Sequence, residues 1–307
     1  MDTGTAIDDR NNSKADTLWD GSHLYVASGS DSASGIKLFR YSYNPACRAW
    51  SLDTGFPVDL PGTGTRVEAV VLDRDAAGRL WITYTKEGSG IEDGKVYVSH
   101  STTSDNTWIA PYELPEAGAS NIQADDISAL VAYNGHIGVM WSNQNDSKMY
   151  FASHANGAGD AASDWTSRVV LEGDGWADDH INLKSLEADP SGRVFAAVKT
   201  SLGDDPFNGT NADQIVLLVL QPDGTEDQVV PFGIVADDHT RPIVVTRQQT
   251  DELYVFATSP TVATDGDRPS TTRRRASATR RSPRGWGRPS SIDPGATSTT
   301  PPRRSRT

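Results

Sequence analysis

Apolar residues in this chain come in short runs of strand type, and the runs recur at even spacing. The strongest are Leu24-Tyr25-Val26-Ala27-Ser28, Leu80-Trp81-Ile82-Thr83-Tyr84, Ile137-Gly138-Val139-Met140-Trp141, Val194-Phe195-Ala196-Ala197-Val198 and Leu253-Tyr254-Val255-Phe256-Ala257. Their first residues lie 56, 57, 57 and 59 apart. None shows apolar positions three and four apart, so helical repeats are a poor fit. Each run follows a turn: Asp20-Gly21, Ala77-Gly78, Asn134-Gly135, Ser191-Gly192 and Thr250-Asp251. Before the turn stands another apolar run, as at Val67–Val71, Ser128–Ala132 and Pro242–Val245. Two such runs joined by small turn residues predict a β-hairpin. A third run follows at Ile36–Tyr41, Lys95–Ser99, Lys148–Ala152 and Gln214–Val219, and a weaker fourth at Ala49–Leu52, Thr107–Ala110, Trp165–Val170 and Gln228–Val230.

Four antiparallel strands in a repeated unit of about 57 residues predict an all-β fold, a β-propeller of four-stranded blades. Four units are complete and a fifth is partial, as expected of a ring of five to seven blades cut short. The propeller is expected over 15–263, with 1–14 as a disordered N-terminal segment.

The turn between the third and fourth runs of the second unit reads Ser101-Thr102-Thr103-Ser104-Asp105-Asn106-Thr107-Trp108. It resembles the Asp-box, Ser-x-Asp-x-Gly-x-Thr-Trp, of the sialidase (BNR-repeat) propeller superfamily. Ser101, Thr107 and Trp108 match; Thr103 and Asp105 stand where the box has Asp and Gly. The resemblance implies a structural turn with its Trp between blades, and a secreted protein that handles glycans. Sialidases grip their substrate with three Arg and use a Tyr-Glu pair. Here only Arg66 and Arg241 stand at the start of inner strands, so sialidase activity is not expected.

Charge divides the chain. Residues 264–307 hold 11 Arg and three Asp, whereas 1–263 hold 17 Lys+Arg against 38 Asp+Glu. A body this acidic excludes nucleic acid as a partner, since such binding needs cations that neutralise phosphates. The Arg/Ser/Thr/Pro-rich stretch 264–307 is expected to be a disordered tail. It begins where the fifth unit needs its third strand, which suggests a frameshifted translation. The single Cys47 excludes an intramolecular disulfide framework. No run approaches the roughly 18 apolar residues of a membrane helix. The resemblance implies an extracellular location, but Met1–Thr5 does not read as a signal peptide. A monomer is expected.

Candidate chemistry gathers at the start of the units. Ala-Asp-Asp-His occurs at Asp178-Asp179-His180 and again at Asp237-Asp238-His239, with partial copies at Asp125-Asp126 and Asp16. In a propeller these residues would crowd one rim of the central channel, near Arg66, Lys184 and Arg241. Asp178, Asp179, Asp237, Asp238, His180 and His239 are the catalytic candidates. Asp16, Arg66, Asp125, Asp126, Trp176, Lys184 and Arg241 are the ligand-binding candidates. Several roles fit. The Asp residues can cap backbone N–H groups as Asx-turns. The carboxylates suit Ca²⁺, though no cofactor is required, and His with Asp suits a transition metal. Crowded carboxylates can divide acid and base work in glycoside cleavage. Aromatic faces at Trp19, Trp141, Trp176 and Tyr84 suit sugar rings, with Trp176 expected to be the most exposed. The favoured reading is a carbohydrate-recognising propeller without catalysis. The alternatives are a glycoside hydrolase or lyase using rim carboxylates, and a scaffold for protein partners.

Overall fold

The computed structural model describes residues 14–29, 35–64, 66–88, 93–183, 192–205, 207–225, 227–247, 252–259 and 272–278. Five antiparallel sheets follow one another along the chain. The first holds β1 (Lys14–Trp19), β2 (His23–Gly29), β3 (Lys37–Asn44) and β4 (Ala49–Leu52), with β5 (Val58–Asp59) also on β3. The second holds β6 (Val67–Arg74), β7 (Leu80–Lys86) and β8 (Gly94–His100), with β9 (Tyr112–Glu113) and β10 (Ser120–Ile122) sharing the edge of β8. The third is β11 (Ser128–Tyr133), β12 (His136–Asn143), β13 (Lys148–Ala155) and β14 (Trp165–Glu172) in order. The fourth is β15 (Ile181–Asn182), β16 (Val194–Lys199), β17 (Asp213–Leu220) and β18 (Gln228–Ile234). The fifth is β19 (Thr240–Arg247), β20 (Glu252–Ser259) and β21 (Thr272–Ala278).

The first strand of each sheet lies beside that of the next: β1 with β6, β6 with β11, β11 with β15, and β15 with β19. Inner strands in series with sheets stacked face to face make a β-propeller. The first-to-second-strand turns carry left-handed glycines at Gly21, Gly78, Gly135 and Gly192 (φ 96°, 88°, 74° and 82°), where a Cβ would strain the backbone.

Three apolar clusters fill the spaces between sheets. Tyr25, Ala27 and Leu38 of the first sheet meet Val70, Leu72, Leu80 and Ile82 of the second. Trp81, Val96 and Val98 meet Leu130, Val139, Trp141 and Trp165. The third cluster runs from Met140 and Phe151 through Phe195 and Leu218 to Val244 and Val255. Polar staples tie the inner strands across these spaces. Leu72 N–H donates to Asp16 Oδ2 (2.9 Å), Ala132 N–H to Asp73 Oδ2 (2.8 Å) and Val244 N–H to Asn182 Oδ1 (3.3 Å). A buried Leu or Ile contributes about 1.5–3 kcal/mol, against about 1 kcal/mol net for a hydrogen bond. The clusters therefore hold the sheets together, and the staples fix their register.

Two stretches differ from the sequence expectation. The fourth run at Thr107–Ala110 does not form a strand. Thr102 and Thr107 bond through their hydroxyls (2.7 Å) and only Ser101 and Trp108 bridge, so pairing with β8 resumes at β9. This is the Asp-box-like turn, and it ties two blades. Asp105 Oδ2 accepts from the Tyr25 hydroxyl (2.6 Å) and from Arg40 Nη1 (3.0 Å) of the first sheet, and Trp108 packs on the cluster between them. The second difference lies within the stretch read as a disordered tail, where β21 pairs with β20 in the place of a third strand. An open edge offers backbone donors and acceptors whatever the side chains are. The rest of that tail, and residues 1–13, lie outside the described residues.

Candidate functional site

The segment Ala177–His180 runs into β15, a strand of only two residues. Its short pairing leaves Asp178 free to turn inward, where it is buried. Asp178 Oδ2 accepts from Lys199 Nζ (2.5 Å), at the end of β16, and lies 3.0 Å from Ser201 Oγ. Asp178 Oδ1 accepts from the His180 backbone N–H (3.2 Å). His180 Nδ1 sits between two carboxylates, 2.6 Å from Asp178 Oδ1 and 2.5 Å from Asp179 Oδ1. His180 Nε2 lies 3.4 Å from Thr240 Oγ1 in β19, so the cluster bridges the fourth and fifth sheets.

Charge states follow from these contacts. Burial pushes the Asp178 carboxyl up, but hydrogen bonds from His180 and Lys199 and the Lys199 charge outweigh it and hold the group well below the usual carboxylate range. The bonds to Asp178 and then Asp179 raise His180 to about 9, against the opposing effect of burial. The cluster sets two acidic side chains, Asp178 and Asp179, against two basic ones, His180 and Lys199, so its formal charges balance when His180 is protonated.

The third sheet carries a counterpart. Asp126 is also buried, and Ser142 and Gln144 around it stand one repeat before Lys199 and Ser201. It accepts from Gln123 N–H (2.8 Å), Gln144 N–H (3.1 Å) and Gln144 Nε2 (3.2 Å). Burial raises its pKa, and its hydrogen bonds only partly offset that. Asp125 accepts from Gln144 Nε2 (3.1 Å). Asp126 thus closes a turn, while Asp125 is exposed beside it.

The remaining candidates scatter. Asp16 serves the inter-sheet staple rather than an open rim. Asp237 Oδ2 accepts from Ile234 N–H (3.1 Å) and closes the 3₁₀ turn Val235–Asp237, with Asp238 left-handed at φ 50°. Both are exposed, and no bond joins them to the Asp178 cluster among the described residues. The second Ala-Asp-Asp-His copy thus shares sequence with the first and differs in conformation. His239 is half-buried, with Nδ1 unpartnered among the described residues. Arg66 donates to the Gly88 carbonyl (2.8 Å), and Arg241 is exposed at a bulge between Thr240 and Ile243. Lys184 lies outside the described residues. Trp176 is half-buried against the large core cluster, because Gly173 and Gly175 fold its loop back; of the aromatic candidates Trp19, Trp141, Trp176 and Tyr84, the exposed one is Trp19. Trp141 and Tyr84 are core residues.

Asp178, Asp179 and His180 have ligand atoms within 4.8 Å of one another, close enough to share a cation. The Lys199 ammonium, 2.5 Å from Asp178 Oδ2, already supplies positive charge there. Sequence reading missed Lys199, Ser201 and Thr240. Register within the repeat was the available signal: Lys199 replaces Ser142 one unit on.

No known family matches the sequence, and no curated protein does. Solved structures similar to this chain include the catalytic domain of a GH62 α-L-arabinofuranosidase from Coprinopsis cinerea, at 12% identity over 89% of this chain and 92% of that one, TM-score 0.46. Others are an endo-arabinase from Bacteroides thetaiotaomicron, 12% identical over 86% and 93%, TM-score 0.48, and a Cellvibrio cellulosa α-L-arabinanase in complex with arabinohexaose, 14% identical over 80% and 86%, TM-score 0.42.

Proposed function

We propose that this propeller recognises a neutral carbohydrate at the cluster of Asp178, Asp179, His180, Lys199 and Ser201. The observation that carries the reading is internal to the repeat. Asp126 shows that the fold closes this turn with uncharged partners alone. The fourth sheet adds two cationic side chains, His180 and Lys199, that the turn does not need. Fixed donors and acceptors of opposite sign suit sugar hydroxyls, each of which both donates and accepts. The balanced charge favours a neutral glycan over a polyanion. Asp178, held ionised, and His180, held protonated, have little tendency to exchange protons near neutral pH, which favours binding over acid–base catalysis.

A second reading is glycoside hydrolysis. Its support is an ionised Asp178 beside Asp179, whose side chain is 36% exposed; such a carboxylate suits a nucleophile or base. One experiment separates the two. Calorimetry of wild type and Asp178→Asn against neutral oligosaccharides, starting with arabino-oligosaccharides, is run beside hydrolysis of aryl glycosides. Binding lost in the variant with no turnover in either protein supports recognition. Turnover lost in Asp178→Asn supports the enzyme. Equal binding by both proteins would remove Asp178 from the site.

A further inference from the structure

A Trp after the third strand recurs at Trp50, Trp108 and Trp165. Trp108 packs on the cluster shared with the first sheet, and Trp165 is buried with its ring 6.3 Å from Trp81 of the second. In both cases the residue seats its sheet on the preceding one. Trp50 belongs to the first sheet, which has no predecessor among the described residues. It is 47% exposed and touches Trp19 (52% exposed, 5.7 Å between ring centroids) and Tyr43 (42%, 5.0 Å), with Leu52 (42%) beside them. Four large apolar side chains grouped in the open are unusual for a soluble monomer. Strand alternation puts them opposite Leu18, Tyr25 and Leu38, which face the second sheet. The exposed strip therefore belongs to the face that, in later sheets, meets the sheet before.

The other end of the series is complementary. In the fifth sheet Val244 and Val255 pack toward the fourth. Ile243 (40% exposed) and Val245 (39%) point the other way, paired across the sheet with Phe256 and Tyr254. That is the kind of face on which each earlier sheet receives its successor. The chain thus carries both halves of an inter-sheet contact, and among the described residues the two halves stay exposed.

We propose that a second copy of this chain joins them, its fifth-sheet face of Ile243 and Val245 docking on Trp19, Tyr43, Trp50 and Leu52. The contact is heterologous, with different patches on the two partners, and it repeats between molecules the sheet order found within one. It departs from the monomer expected from sequence and is independent of the carbohydrate reading.

Sedimentation velocity of the full chain between about 1 and 100 µM tests it, with Trp50→Asp and Val245→Asp. Wild type is expected to associate as concentration rises. Each variant alone should stay monomeric. Mixed in equal amounts they should form a one-to-one dimer, because each keeps the half the other has lost. Leu52→Lys and Ile243→Lys repeat the design if far-UV circular dichroism shows that an Asp variant misfolds. A wild type that stays monomeric throughout would overturn the proposal. So would a variant that associates like wild type, which would mean that like faces pair, or a mixture that remains monomeric.

Discussion

At the residue scale, the informative comparison is Asp178 with Asp126. Both are buried, yet their pKa values move in opposite directions. His180 and Lys199 are the main difference between their surroundings, since Asp126 has only Ser142, Gln144 and backbone N–H groups around it. Removing one partner of a buried pair leaves an uncompensated charge, so Lys199→Met should cost about 3–5 kcal/mol in urea unfolding. Lys199→Arg, which keeps the charge, should cost less. A loss no larger than that of Ser142→Ala would mean the pair is not a unit. The pH dependence has a definite sign. The His180 pKa is raised to about 9, above an unfolded value of about 6.5. Its stabilisation is therefore fully present below about pH 6.5 and is lost as pH rises through about 9. The Asp178 pKa is lowered, so its contribution is present above the unfolded value of about 3.9 and is lost at more acid pH. Melting temperature should fall between pH 6.5 and 9 in wild type and stay flatter in His180→Gln. Equal slopes would show that the imidazolium is not held as described. Asp178 and His180 could be singled out from sequence because an acidic doublet before an apolar run is visible in one dimension. Lys199 was marked only by its register against Ser142, and Thr240 not at all, since their part in the cluster depends on how β15, β16 and β19 converge.

At the element scale, period-2 runs and small-residue turns located β2, β7, β12, β16 and β20, because a strand half-buried between two layers must alternate or be wholly apolar. The fourth strand of the second sheet was misplaced, because the hydroxyls of Thr102, Ser104 and Thr107 close a tight turn that delays pairing until Tyr112. The staples were also hidden, since Asp16, Asp73 and Asn182 resemble ordinary polar positions on a strand. Their effect is measurable. Asp73→Ala would leave the Ala132 N–H without this acceptor between the second and third sheets, and should cost about 1–3 kcal/mol in urea unfolding. An exposed acidic position such as Asp59 supplies the control, with little change expected on Asp59→Ala. Equal losses at the two sites would reduce the staple to a surface contact.

At the scale of the whole molecule, stability should vary along the series of sheets. The second, third and fourth sheets are packed on both faces, so opening any of them exposes two apolar interfaces. The first is packed on the second alone and the fifth on the fourth alone, among the described residues. Local opening free energy rises with the apolar surface that opening exposes. Amides of β2 and β20 should therefore exchange with deuterium faster than those of β7, β12 and β16, even though all five are second strands with hydrogen-bonded neighbours on both sides. Hydrogen-exchange mass spectrometry at low micromolar protein would read this directly. A single exchange rate for all five strands would mean that the propeller opens only as a unit, and that inter-sheet packing does not set the order of opening. Repeating the measurement at high protein concentration ties this gradient to self-association. If copies join fifth sheet to first, protection should rise selectively in β2 and β20 while β12 stays unchanged. The central sheets thus serve as the internal reference against which both the packing argument and the proposed contact are judged.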